Sequence, residues 1–286
     1  MRSRVQGRAL SLIVGTAKGH SWARSGRLAL MPEFDRGPSD QLAELFDRVP
    51  HPPIKEDFWV DWGPIFYRGR LDGSARLLCV ASDPGPTERV AMRTLVGDAG
   101  QRVQGFLAKI GLARSYLCLN AFAYALHPSS FWEGPEILRD ADQLAWRNEL
   151  FDRVKGPELR VVIAFGFQAQ EAVDLWEGKG SLTVCKVPHP SSRKPRELLD
   201  AYRDAVNRLR EIVPADPDGE PAAPNYVDTF REEDYVRIPY RDLPFGVPGW
   251  FGDDSWGRKA TPRHNNSVDR PSPDDGHTLI WIAPRS

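Results

Sequence analysis

Four short apolar runs, Leu77–Ala81, Tyr116–Asn120, Val161–Phe165 and Leu182–Val187, alternate with segments whose apolar residues recur at helical spacing. Over 100–110 the apolar set is Val103, Phe106, Leu107 and Ile110. Over 168–176 it is Ala169, Ala172, Val173 and Trp176, and over 196–213 it is Leu198, Leu199, Tyr202, Val206 and Leu209. A further helical pattern covers about 136–154, and Ser39 stands where it would cap a helix over 40–49, with Leu42, Leu45, Phe46 and Val49 on one face. Runs that are apolar throughout, rather than at every second residue, belong to strands buried on both faces. Such strands alternating with helices predict an α/β chain: a three-layer α/β/α architecture around a mostly parallel central sheet.

In an open sheet of this kind, residues just past the carboxyl ends of the strands converge on one crevice. Three chemically distinct side chains stand there: Asp83 in Asp83-Pro84-Gly85, Asn120 at the end of its run, and His189 in Val187-Pro188-His189-Pro190-Ser191-Ser192. Pro84 fixes a turn that aims the carboxylate of Asp83 into the crevice. An Asn amide offers a donor and an acceptor together and reads a nucleobase edge. A neutral His donates a hydrogen bond to an oxygen on which negative charge develops. Together they form a general-base, amide-reader and electrophile set.

The remaining sequence sets bounds on what surrounds that crevice. With 38 basic and 39 acidic residues the formal net charge is −1, so any nucleic-acid surface must be a local basic face. Arg193 and Lys194, directly after Ser191 and Ser192, supply one. Cys79, Cys118 and Cys185 lie inside apolar runs, as buried, reduced thiols of a cytoplasmic protein do. Residues 1–38 read as a flexible basic leader with Arg2, Arg4, Arg8, Lys18, Arg24 and Arg27; its apolar run Ala9–Val14 is too short to span a membrane. Residues 39–213 form the catalytic domain. The stretch 214–225, rich in Pro, Ala, Asp and Glu, reads as a linker, and 226–286 reads as an extension whose Trp250, Phe251, Trp256 and Trp281 pack it on the domain.

Asp83-Pro84-Gly85, Leu95-Val96-Gly97-Asp98-Ala99-Gly100-Gln101, Leu117-Cys118-Leu119-Asn120 and His189-Pro190-Ser191-Ser192, in that order over roughly residues 58 to 213, resemble the motifs of the uracil-DNA glycosylase superfamily. The resemblance implies a monofunctional hydrolase that cleaves the N-glycosidic bond of uracil, and of other deaminated bases, in DNA during base excision repair. Its partner is DNA containing such bases, taken out of the stack before cleavage. By this resemblance Asp83 orients the attacking water and His189 stabilises the departing base. Ser82, Gly85, Leu95, Asn120 and Phe122 line the base pocket, and Ser191, Ser192, Arg193 and Lys194 contact DNA.

The chain departs from the superfamily's commonest wording at several positions. Ala81-Ser82 stands where Gly-Gln is usual, and Gly85 stands where strict uracil enzymes carry a Tyr that blocks the methyl group of thymine. Leu95 replaces a Phe that stacks on the base, leaving Phe122 or Phe66 to supply an aromatic face. Arg193 either plugs the gap left by the base or contacts phosphate. Some members hold an iron–sulfur cluster on four cysteines; three cysteines spaced 39 and 67 apart do not supply the set, so no cofactor or metal is expected. Two alternatives stay open: a catalytically silent nucleic-acid-binding module of the same fold, or a hydrolase of free nucleosides. Glu88, His127, His264 and His277 have no assigned role; Glu88 reads as a solvated loop residue, with a second pocket carboxylate as the alternative.

Overall fold

A computed structural model of the chain describes residues 33–247 and Phe251. The leader up to residue 32 lies outside the described residues, as do Trp250, Trp256, Trp281, His264 and His277.

Five strands form one sheet: β1 (Tyr67–Gly69), β2 (Leu77–Ala81), β3 (Tyr116–Asn120), β4 (Val161–Phe165) and β5 (Thr183–Val187). Their spatial order is β1-β3-β2-β4-β5, with β1 antiparallel to β3 and every other pair parallel. Seven α-helices accompany them among the described residues: α1 (Asp40–Asp47), α2 (Pro86–Ala91), α3 (Asp98–Ile110), α4 (Gly134–Leu138), α5 (Ala141–Val154), α6 (Phe167–Asp174) and α7 (Pro195–Ile212). None of these helices is long and apolar enough to cross a membrane.

The continuous apolar runs serve two cores at once. Because successive strand side chains point to opposite faces, Leu77, Cys79, Ala81, Ile163 and Phe165 meet Val103, Phe106 and Leu107 of α3 and Leu199, Tyr202 and Val206 of α7. Leu78, Val80, Leu117, Leu119 and Val162 meet Leu42, Leu45 and Phe46 of α1, Leu150 and Phe151 of α5, and Ala169 and Val173 of α6 on the other face. The three layers are therefore α3 and α7, the sheet, and α1, α5 and α6. Cys79, Cys118 and Cys185 are all buried free thiols.

Several boundaries differ from the sequence reading, each for a physical reason. The pattern over 136–154 is two helices, because Asp140 Oδ1 accepts from the backbone N–H of Gln143 and starts α5 anew. Ser39 stands at the cap position of α1, but its side chain makes no capping bond. Residues 33–38, assigned above to the flexible leader, are tied down. The N–H of Asp35 donates to the carbonyl of Leu243 at 2.9 Å, and its carboxylate accepts from Tyr67 Oη at 2.7 Å and Arg93 Nε at 2.6 Å.

The stretch 214–225, read as a linker, is anchored by the buried Asp216, whose Oδ2 accepts from the N–H groups of Ala113, Arg114 and Ser115 at 2.7–3.0 Å. Beyond it the chain lies on α3. Lys109 Nζ pairs with the buried Asp234 at 3.1 Å, and Asp242 pairs at 3.0 Å with Arg68 of β1, which is wholly buried.

Candidate active site

The connections reverse direction at β2: the chain passes from β2 to β3 on one side, then crosses to β4 and β5 on the other. In an open α/β sheet that reversal opens a crevice at the carboxyl ends. Ala81 is level with Asn120, and Phe165 is level with Val187. Asp83 and Asn120 thus leave the adjacent strands β2 and β3, and His189 leaves β5 with β4 between, all at the carboxyl end of the sheet, with Asp83 at the reversal.

Side-chain and backbone bonds join these ends into one floor. The N–H groups of Ala121 and Phe122 donate to the carbonyls of Ala81 and Ser82 at 2.8 and 3.0 Å, linking β3 to β2. The Ser82 hydroxyl donates to Oε1 of the buried Gln168, linking β2 to α6, and Gln168 Nε2 donates to the Phe131 carbonyl at 3.0 Å. Gly166, between β4 and α6, has φ of +85°, and a Cβ there would lie 2.9 Å from His189 Cβ. Only glycine suits that position, and its bare backbone lets the His189 loop close against the start of α6.

Asp83 is half-buried, and its Oδ2 accepts from the Leu126 N–H at 3.1 Å. Burial pushes its carboxyl up to about 6, with the charge of nearby Glu88 adding to the rise; the neighbouring Ser82 hydroxyl and the hydrogen bond from the Leu126 N–H hold it from going further. Asp83 is consequently ionised at neutral pH yet basic enough to accept a proton.

His189 is held in the complementary state. The backbone N–H of Ser191 donates to His189 Nδ1 at 3.1 Å, which fixes Nδ1 as the unprotonated nitrogen and leaves the proton of the neutral ring on Nε2. Burial, and then the positive charge of Arg102, push the imidazole down to about 4. The ring is a neutral donor across the physiological range.

Asn120 is buried, and its Nδ2 has no hydrogen-bond partner. A buried unpaired amide donor costs about 1–3 kcal/mol, and a ligand carbonyl in the crevice would remove that cost. Among the described residues no group of three or more His, Cys, Asp or Glu side chains is arranged to hold a metal ion.

Comparison with known families places residues 68–210, half of the chain, in the family described as the Uracil DNA glycosylase superfamily. The chain belongs to that superfamily. Membership carries a glycosylase-type hydrolase function with DNA as the substrate. No individual curated protein matches the chain significantly.

Other residues of this superfamily member singled out in the sequence take varied positions. Phe122 is buried and edge-on to Phe58, with ring centroids 5.9 Å apart. Leu95 has φ of +55° and its side chain joins the core under α3; Phe66 stacks on Phe46 at 4.2 Å in the opposite layer. Ser191, Arg193 and Lys194 are exposed and Ser192 is half-buried. Lys194 Nζ pairs with Glu197 at 3.2 Å, whereas Arg193 makes no ion pair among the described residues.

Glu88 requires a correction. It is no solvated loop residue but a buried clamp: Oε2 accepts from the Gly85 N–H at 3.1 Å, and Oε1 from the Val96 and Gly97 N–H groups at 2.9 and 3.0 Å. It ties the turn carrying Asp83 to the start of α3. Its spacing, three residues after Gly85 at the N-cap of α2, is a capping signature legible in sequence.

Arg102 was missed altogether. Its guanidinium donates to the Pro190 carbonyl at 2.6 Å and to Asp98 at 3.1 Å, while Nε donates to Tyr235 Oη at 3.0 Å. The Asp98–Arg102 pair has helical spacing. The bond to Pro190 depends on the tertiary fold.

Proposed function

We propose that the protein is a monofunctional DNA glycosylase that excises uracil, and at least one other deaminated base, from DNA in base excision repair. The observation that carries this reading is the fixed tautomer of His189, a neutral Nε2–H donor at the same carboxyl end of the sheet as an ionised Asp83. An enolate-like oxygen leaving with the base needs such a donor, and the sugar carbon left behind needs a water deprotonated by a carboxylate.

In the proposed reaction the extruded base enters the crevice, where the free Nδ2 of Asn120 donates to a base carbonyl. As the bond between C1′ and the base nitrogen breaks, its electron pair moves onto the base, and His189 Nε2–H donates to the oxygen that gains charge. Asp83 takes a proton from the water that adds to C1′. The base anion takes a proton from solvent and Asp83 gives its proton up to solvent, so the products are the free base and an abasic sugar.

The wider base range rests on Gly85. This position next to the catalytic turn has no side chain, and a Cβ there would lie 2.8 Å from Glu88 Oε2. The clamp therefore favours a small residue where a bulky wall would exclude larger bases. A wall selects by clash, and one methylene in a snug site is worth about 1–3 kcal/mol. Oligonucleotides each carrying one uracil, hypoxanthine, xanthine or thymine in a mismatch test the proposal, with the free base as readout. Release of uracil and at least one of hypoxanthine and xanthine is expected. No base released by folded protein overturns the activity, and strict uracil release overturns the open pocket.

A further inference from the structure

A band of large rings lines the mouth of the crevice, and the core uses little of it. Trp59 stacks on Trp62 at 5.7 Å and lies 3.9 Å from the His127 ring. Phe131 and Trp132 follow on the same loop, edge to face at 5.1 Å, and Phe167 opens α6. Trp132 is 81% exposed, Phe167 55%, Trp59 41% and Phe131 40%, values far beyond what packing of a core residue leaves.

The band runs beside the reacting groups. The N–H of Leu126, next to His127, donates to Asp83. The Phe131 carbonyl accepts from Gln168, which also holds Ser82. Phe167 follows Gly166, against which His189 packs. The Arg89 guanidinium lies 5.6 Å from the Trp62 ring, putting a cation at one end.

We infer that this band is a track on which successive unpaired bases of a single DNA strand stack, which makes single-stranded DNA the preferred substrate form. The inference rests on the reading that the crevice takes its base from DNA. Three features favour this occupant over an apolar protein surface. The exposed groups are rings rather than branched aliphatic chains, and every base offers a face for stacking regardless of sequence. The segments that carry the rings are bonded to, or packed against, Asp83, Gln168 and His189. A cation accompanies it, as on surfaces that follow a phosphate backbone.

The test uses the full chain and a short oligodeoxycytidylate, which carries neither a deaminated base nor thymine, so that nothing is cleaved. Stacking of one base on one ring changes affinity about 5- to 150-fold. Trp132→Ala and Phe167→Ala should each weaken single-strand binding about tenfold, Trp132→Phe should restore most of it, and melting temperatures should stay unchanged because these side chains are exposed. Wild-type protein should bind the single strand more tightly than its duplex. Unchanged affinity in both alanine variants, or tighter binding of duplex, overturns the track. Since the strand carries no excisable base, a wild type that binds it through these rings yet releases no uracil would contradict the proposed activity alone.

Discussion

The backbone N–H of Ser191 donates to His189 Nδ1, and this 3.1 Å bond leaves the ring's single proton on Nε2. With burial and Arg102 holding the imidazole near 4, the neutral Nε2–H tautomer should persist through the physiological range. Nitrogen chemical shifts of the His189 ring, followed from pH 8 downward, should show one tautomer until about pH 4. Arg102→Gln removes the nearby positive charge and should move the transition upward. Titration near the ordinary value of about 6.5 in the wild type would contradict the assignment.

In the proposed mechanism Asp83 sets the acid side of activity. Its carboxyl, raised to about 6, must be ionised to accept a proton from water, so the rate should climb as pH rises through about 6 and level off above 7. The stability effect has the opposite sign. A carboxyl raised in the folded state favours folding fully below its unfolded value, and that contribution is lost as pH rises through about 6. Asp83→Asn should therefore slow excision and abolish the pH-dependent limb of what remains, while raising stability at pH 7.5 by about 1–2 kcal/mol. Thermal melts at pH 5 and 7.5 check the second half.

Glu88 and Gly85 act as a unit. Replacing Glu88 by Gln puts an N–H2 group opposite backbone donors that now share a carboxylate, leaving one of them facing another donor. A cost of about 1–3 kcal/mol follows, read as a lowered melting temperature. Gly85→Ala should also lower stability, because the new Cβ would lie 2.8 Å from Glu88 Oε2 and the buried carboxylate must move off its backbone donors to make room. Gly85→Tyr should narrow the base range to uracil at a cost in stability. A range unchanged by Gly85→Tyr would remove Gly85 from the pocket wall.

Much of this was legible in the sequence, for reasons visible in particular residues. Strands β2 to β4 announce themselves because both faces are buried, so Leu77 to Ala81 can be apolar throughout; β5, at the sheet's edge with Lys186 exposed, is legible from Val184, Cys185 and Val187. The strand-end positions of Asp83, Asn120 and His189 follow directly from those strands. β1 did not announce itself: it is three residues long and centred on Arg68, whose burial makes sense only once Asp242, far along the chain, supplies a carboxylate. The same holds for Gln168 and Arg102, whose partners Ser82 and Pro190 are brought to them by the fold. Residues 214–225 have a linker's composition, and only the structure reveals that Asp216 caps a turn.

The DNA contacts proposed for Arg193 and Lys194 should be separable. Lys194 already pairs with Glu197, while Arg193 is exposed without an ion pair among the described residues. Removing a phosphate-contacting charge lowers the salt slope of binding by about one. Arg193→Ala should show that full change and Lys194→Ala a smaller one. Equal slopes for wild type and Arg193→Ala would mean that the loop does not touch phosphate.

Single-turnover release of free uracil from an oligonucleotide with one uracil, at pH 7.5, tests the central claim most directly. Wild-type protein should release uracil. His189→Ala should be slower by about 10²–10³ while still folded and able to bind the oligonucleotide, since it loses one preorganised donor to the departing base. Asp83→Asn should be slowed comparably. Excision at wild-type rates in both variants, or no uracil released by folded wild-type protein, would contradict the account.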